Sequence, residues 1–147
     1  MVNVNANKTV TKRFVDEGIN NKNLAVLDEL VAEDFIEHVP FPGQGPGRDG
    51  LKLTVGAFLT AFPDITWTTH EQIAEGNNVV SRFAWTGTHR GEFLGIPATG
   101  RRVTVWGMVI DVVRGGKMVE SRIIMDTLGL MQQLGVIPGA VTDPARH

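Results

Sequence analysis

The chain has 147 residues, of which 42% are hydrophobic and 20% are charged, and its 14 basic residues are scattered among 16 acidic ones. The formal net charge of -2 gives no electrostatic reason to expect a nucleic-acid partner. With no cysteine, the chain can form neither disulfides nor thiolate metal sites. Its length suits one domain over residues 1–147 with one sizeable core, and we expect a loose tail after about residue 138.

The first ten residues, MVNVNANKTV, are polar and lack the apolar segment of a signal peptide. No apolar run approaches the roughly 20 residues that a membrane-spanning helix requires. We therefore expect a cytoplasmic protein that binds neither membrane nor nucleic acid.

The first half of the chain predicts helices. Apolar residues repeat at helical spacing from Val10 to Ile19 behind a predicted Asn7 cap, and the pattern stops where glycine and asparagine follow. A second short helix follows Asn23, and FIEHVP (35–40) reads as a brief extended segment. Proline and glycine make residues 40–50 a loop. A third helix takes its apolar stripe from residues 51–62 and ends at Pro63.

From Asp64 onward the hydrophobic period changes to two, which predicts strands. Strands are expected over 65–74, 79–89, 103–113 and 118–126, with turns at EGNN (75–78) and RGGK (114–117). Turn-linked strands form an antiparallel meander, so the chain is α+β, with helices packed on one face. Glycines at 87, 91 and 107 offer bend or bulge sites. A sheet curved around helices would leave a pocket at its open end.

Four stretches carry a family resemblance, namely DFIEHVP, FPDITW, WTGTHRGEFLGIPATGRRVTVWG and DTLGLMQQLG. In this order, and from about residue 8 to about residue 136, the chain resembles the SnoaL-like polyketide cyclase family of the NTF2-like superfamily. The resemblance implies a cone-shaped barrel, in which a curved, mainly antiparallel sheet packs on about three N-terminal helices.

The same resemblance implies an activity. Members close a ring by intramolecular aldol condensation without metal or organic cofactor, so we expect cofactor-free acid/base chemistry on a small apolar carbonyl compound. The fold also hosts other functions. The alternatives are a non-catalytic ligand-binding protein, or another enzyme such as an isomerase or an epoxide hydrolase. Water activation for epoxide opening would draw on a carboxylate network, for which the sequence offers Asp126, Glu120, Glu71 and Asp111.

The family's base is an aspartate at the end of the last strand, and Asp126 matches that position. The residues alone also predict Asp126 as the N-cap of the last helix, and the two roles are compatible. On strand parity it shares a face with Ile124, Arg122 and Glu120, and the resemblance implies that this face looks into the cavity. Arg122 could then polarise a substrate carbonyl, pair with Asp126, or form a salt bridge with Glu120.

His38 is the second acid/base candidate, because histidine has an ordinary pKa of about 6.5. A hydrogen-bonded structural role is the alternative for it. The cyclases also carry a histidine shortly before the GK turn, and the matching residue here is Val112. Many members have a tryptophan where this chain has Arg122. The missing histidine favours the non-catalytic alternative.

The substrate-binding wall is expected on the strand face that carries Trp106, Met108, Ile110 and Val112, together with Trp85 and Glu120. No two histidines have metal-ligand spacing, so we expect no metal. Open sheet faces in this superfamily are covered by a second copy, which implies a homodimer or a higher homo-oligomer. The outward residues would be Val105, Val109 and Val113. His89 is expected to hold its loop in place, and Arg82 to pair with Glu71 or Glu120.

Overall fold

The computed structural model describes residues 2–138, and the predicted tail lies outside them. The helices are α1 (Val4–Arg13), which continues as a π-helix (Phe14–Asn20), α2 (Leu27–Leu30), which follows a 3-10 turn (Leu24–Val26), α3 (Gly47–Ala61) and α4 (Thr127–Leu134). The strands are β1 (Val31–Glu37), β2 (Thr66–Glu75), β3 (Asn78–Thr88), β4 (Arg102–Arg114) and β5 (Lys117–Met125). No helix within residues 2–138 is long and apolar enough to cross a membrane.

The strands form one sheet in the order β1-β5-β4-β3-β2. The predicted antiparallel meander of β2 to β5 is confirmed, and β1 adds to β5 as a parallel edge strand. The turn between β4 and β5 has positive φ at both Gly115 and Gly116, which suits the tight hairpin turns that glycine favours. The α+β fold with a curved sheet is therefore confirmed.

Gly107 lies at a close approach between strands. A Cβ built there would lie 2.5 Å from the Ile124 carbonyl oxygen and 2.5 Å from the Phe83 ring, so only glycine fits. Further register shifts occur in β2 after Thr69 and between β4 and β5 after Val112. These irregularities curve the sheet around the helices.

Two predicted helix starts were wrong. The first helix is capped by Asn3, whose Oδ1 accepts from the Ala6 N–H at 3.0 Å, whereas Asn7 lies buried inside the helix. The third helix begins at Gly47 rather than at residue 51, because the chain turns at Pro46 into a helical turn that has no apolar periodicity. The loop is shorter than predicted by the same amount.

The helices and the inner face of the sheet enclose an aromatic core. Phe58 and Phe62 of the α3 region meet Trp85 of β3 edge to face, with ring centroids 5.8 and 4.9 Å away. His89 is fully buried beside them, and its Nδ1 accepts from the Thr99 N–H at 3.2 Å. The expectation that His89 holds the β3–β4 connection is confirmed.

The two faces of the sheet are the reverse of those predicted. Val105 and Val113 are buried inside, whereas Trp106, Met108 and Ile110 are 56%, 45% and 39% exposed on the outside. Both faces of β4 are apolar, so the alternation in its sequence has no polar side to mark the solvent. The predicted assignment of Val105, Val109 and Val113 to the outer face is therefore wrong.

The free edge of β2 is covered by a side chain. Asn20, at the end of the π-helix, donates from Nδ2 to the Trp67 carbonyl at 2.8 Å, and its Oδ1 accepts from the Trp67 N–H at 2.7 Å. The amide thus replaces a neighbouring strand at this point and satisfies both backbone groups. Trp67 is held in place as a result.

We expect Asn20→Ala to lower the free energy of unfolding by about 1–3 kcal/mol, because it leaves both Trp67 backbone groups without a protein partner. Urea titration measures the change. The neighbouring Asn21→Ala, at an exposed position, is the control and should stay within about 0.5 kcal/mol of wild type. Equal losses in the two variants would contradict the edge-covering role of Asn20.

Candidate functional site

A cavity of about 110 Å³ lies between the inner face of the sheet and the helices. Most of its wall is apolar and aromatic, and includes Phe14, Phe35, Phe41, Phe58, Trp67 and Phe83. The polar and charged residues of the wall are Thr11, Glu37, Gln44, Thr54, Thr69, Ser81, Asp111 and Ser121. An apolar cavity with a few polar groups is the usual form of a small-molecule site.

Asp111 is the buried carboxyl of this cavity. It lies on the inner face of β4, directly opposite Ser121 of β5, and is 4% exposed. Burial raises the pKa of Asp111 to about 7, against a hydrogen bond from the Ser121 hydroxyl, and the negative charge of Glu37 raises it further. Its Oδ1 has no hydrogen-bond partner among residues 2–138. At neutral pH the carboxyl can therefore both take and give a proton.

Glu37 is the other titratable residue of the cavity wall. It ends β1, and its Oε2 accepts from the backbone N–H groups of Val39 at 3.0 Å and Ile123 at 3.4 Å. These two bonds tie the carboxyl to the β1–β5 edge. Glu37 Oε2 is thus used by the backbone, whereas Asp111 Oδ1, which has no partner among the described residues, can bond a ligand.

Asp126 lies outside the cavity. Its Oδ1 accepts from the Gly129 N–H at 2.9 Å, so the prediction that it caps the last helix is confirmed. Its side chain is exposed, and its strand neighbours Arg122 and Ile124 also face outward. The expectation that this face looks into the cavity is wrong, for the same reason of parity as on β4. Its catalytic role stays a prediction.

The remaining catalytic candidates form a separate group at the surface. His38 Nε2 lies 2.7 Å from Glu120 Oε1, and Arg114 lies 3.7 Å from the other Glu120 oxygen. The hydrogen bond from His38 holds the pKa of Glu120 below its usual range. Arg122 forms no ion pair within the described part of the chain, so the predicted pairing with Glu120 or Asp126 is not made. Neither His38 nor Glu120 lines the cavity.

The predicted substrate-binding residues also lie outside the cavity wall. Trp106, Met108 and Ile110 face away from the cavity, and Trp85 and Val112 are buried without lining it. Sequence reasoning gave Asp111 only a place in a carboxylate network for epoxide opening. The signal that could have singled it out is a lone carboxylate inside the apolar run VTVWGMVIDVV, where an ionised group needs a partner or a function.

Arg82 Nε donates to Glu71 Oε1 at 2.7 Å on the outer surface, which confirms the first of its two expected partners. Within residues 2–138, no group of three or more histidine, aspartate or glutamate side chains is arranged to hold a metal ion.

A family model and solved structures of known proteins match this chain. The family model for SnoaL-like polyketide cyclases matches residues 9–134. No match is found among curated proteins. TsrD from Streptomyces laurentii has a similar structure, with a TM-score of 0.85 and 26% identity over 93% of this chain and 100% of its own.

Two further solved structures are similar. IdmH from Streptomyces antibioticus, described as a candidate polyketide cyclase, is 31% identical, with a TM-score of 0.76 over 88% of this chain and 98% of its own. AclR from Streptomyces galilaeus, described as a candidate hydroxylase, is 25% identical, with a TM-score of 0.83 over 98% of this chain and 90% of its own. The relatives thus share the fold while their descriptions differ in chemistry.

The raised pKa of Asp111 predicts a pH-dependent stability. Because the folded-state value exceeds that of the unfolded chain, the contribution of Asp111 is fully present below pH about 4 and is lost as the pH rises through about 7. We expect the stability of Asp111→Asn relative to wild type to increase by about 2–3 kcal/mol between pH 5 and pH 8.5. Urea unfolding at both pH values measures this, and a constant difference would contradict it.

Proposed function

Because the chain belongs to the SnoaL-like polyketide cyclase family, we propose that it is a cofactor-free enzyme that transfers a proton beside a carbonyl group and closes a ring by aldol addition. The observation that carries this proposal is the buried Asp111 carboxyl, with a pKa raised to about 7, in an otherwise apolar cavity. A general base works best with a pKa near the working pH.

In the proposed reaction the Asp111 carboxylate takes a proton from the carbon next to a carbonyl. The electron pair of the broken C–H bond forms an enolate, whose carbon attacks a second carbonyl of the same molecule and makes the new C–C bond. The alkoxide formed there recovers the proton from the Asp111 carboxyl, so the protein ends as it began. The aromatic wall folds the substrate and excludes water.

Two features of the cavity support a particular substrate. Its volume of about 110 Å³ compares with the roughly 150 Å³ of an engineered cavity that binds benzene, which favours a compact molecule about the size of one ring. Of the described residues in the wall, none is basic, while Asp111 and Glu37 are acidic. A neutral carbonyl compound suits this wall better than a free carboxylate.

A non-catalytic binding protein is the second candidate. Val112 stands where the resemblance places a second acid/base group, and it is buried without lining the cavity. A binder would use the same apolar wall without any proton transfer. The two candidates differ in what Asp111 does after the ligand is bound.

We expect Asp111→Asn to slow proton exchange at least about 100-fold, because the amide cannot act as a base. Deuterium incorporation from D2O into small aryl ketones and β-keto esters, followed by NMR, measures this. In the wild type the rate should rise as the pH passes through about 7. Asp126→Asn keeps a good helix cap and is the matched variant. Loss of exchange in Asp126→Asn alone would make Asp126 the base and overturn the assignment of Asp111.

We further propose that the outer sheet face binds a second copy of the chain. Trp106, Met108 and Ile110 on β4 adjoin Ile124 of β5, which pairs in register with Met108. Arg82 of β3 and Arg122 of β5, which pair with Met108 and Ile110, flank this apolar row. Ile124 and Leu128 are 68% and 63% exposed, which is uncommon for large apolar side chains on a monomer. In a twofold dimer the same patch of each copy would meet, so that apolar side chains cover one another.

We expect Ile124→Lys to convert a dimer into a monomer, because it places a charge at the centre of the apolar patch. Sedimentation equilibrium measures the assembly state. Leu53→Lys, which replaces an exposed leucine on α3, is the control and should leave the mass unchanged. A wild-type protein that sediments as a monomer would contradict the proposed dimer.

A further inference from the structure

Two polar residues of the cavity wall, Ser81 and Asp111, lie on neighbouring strands of the inner face of the sheet. Ser81 lies on the inner face of β3, is 6% exposed and pairs in register with Val109 of β4. Asp111 follows Val109 by two residues and so shares its face, which makes Ser81 its diagonal neighbour. Diagonal Cβ atoms in a sheet are about 7–8 Å apart. This span allows one carbonyl group and its neighbouring carbon to contact both side chains.

Gln72, which contacts Ser81, and Thr11, which contacts Gln72, determine where the Ser81 hydroxyl can direct its proton. The Thr11 hydroxyl donates to the Lys8 carbonyl at 2.9 Å, so its oxygen can only accept from Gln72. The Gln72 amide must therefore turn its NH2 toward Thr11 Oγ1, at 2.8 Å. The same nitrogen lies 3.3 Å from the Lys8 carbonyl oxygen and 3.4 Å from Ser81 Oγ. Because an amide NH2 donates and does not accept, Ser81 cannot donate its proton to Gln72.

Ser81 is thereby left with a proton to donate. Within residues 2–138 its hydroxyl lies within reach of the Gln72 NH2 group but finds no acceptor of its own. Ser121 differs because it lies directly opposite Asp111 and its hydroxyl lowers the pKa of that carboxyl. The cavity wall thus presents one base and, diagonally from it, one free donor.

We propose that Ser81 donates a hydrogen bond to the carbonyl oxygen of the bound substrate, and that Thr11 and Gln72 direct its proton into the cavity. The inference rests on the proposed function, since it is the carbonyl beside the acidic carbon that Ser81 would hold. As Asp111 removes the proton, negative charge moves to this oxygen and the hydrogen bond strengthens. Ser81 then stabilises the enolate while Asp111 holds the proton.

Benzonitrile is a suitable probe, because it is a single ring with one hydrogen-bond acceptor and no acidic proton. Its nitrile stretching band, recorded by infrared spectroscopy with protein in excess, moves to higher frequency when the nitrogen accepts a hydrogen bond. At pH 9 Asp111 is ionised and donates nothing. We expect the bound band to shift to lower frequency in Ser81→Ala and to return in Ser81→Thr, which restores the hydroxyl.

Ser121→Ala is the matched control, because it removes a similarly buried hydroxyl from the opposite side of Asp111. Its band should stay at the wild-type frequency. An unchanged band in Ser81→Ala, or equal shifts in both alanine variants, would overturn the role of Ser81 while leaving the acid/base proposal intact. Failure of wild type to bind benzonitrile would overturn the cavity on which both rest. Full proton exchange in Asp111→Asn would overturn the base alone.

Discussion

Strand β4 is apolar on both faces, and the rest of the structure depends on which of the two packs against the helices. Its inner face carries Val103, Val105 and Val113, which are buried under the helices. Its outer face carries Trp106, Met108 and Ile110, which remain exposed on the single chain. The helices of its own chain cover one side of this central strand, and the proposed second copy would cover the other.

Asp111 interrupts the inner face at a cost in stability. Its carboxyl is desolvated among apolar side chains and lies near a second carboxyl, that of Glu37. A neutral side chain of the same shape would be more stable there above pH 7. Costs of this kind are concentrated at functional sites. Of all the titratable groups described, it is Asp111 that joins deep burial to direct access to the cavity.

The helices do more than cover the sheet. Asn20 of the π-helix completes the edge of β2 at Trp67, and Thr11 of α1 orders the polar row that leads through Gln72 to Ser81. Both contacts join the first twenty residues to strands far along the chain. The N-terminal helices therefore shape the cavity as well as enclosing it.

The sequence by itself determined the order of the elements, the meander and the helix cap at Asp126, because periodicity, turn glycines and capping are local properties. It also carried the resemblance that led to the family. Only the tertiary structure decided which face of β4 and β5 is inside. With Val105 and Trp106 equally apolar, strand parity has two solutions, and the choice depends on which face packs against the helices. That single choice moved the candidate base from the exposed Asp126 to the buried Asp111.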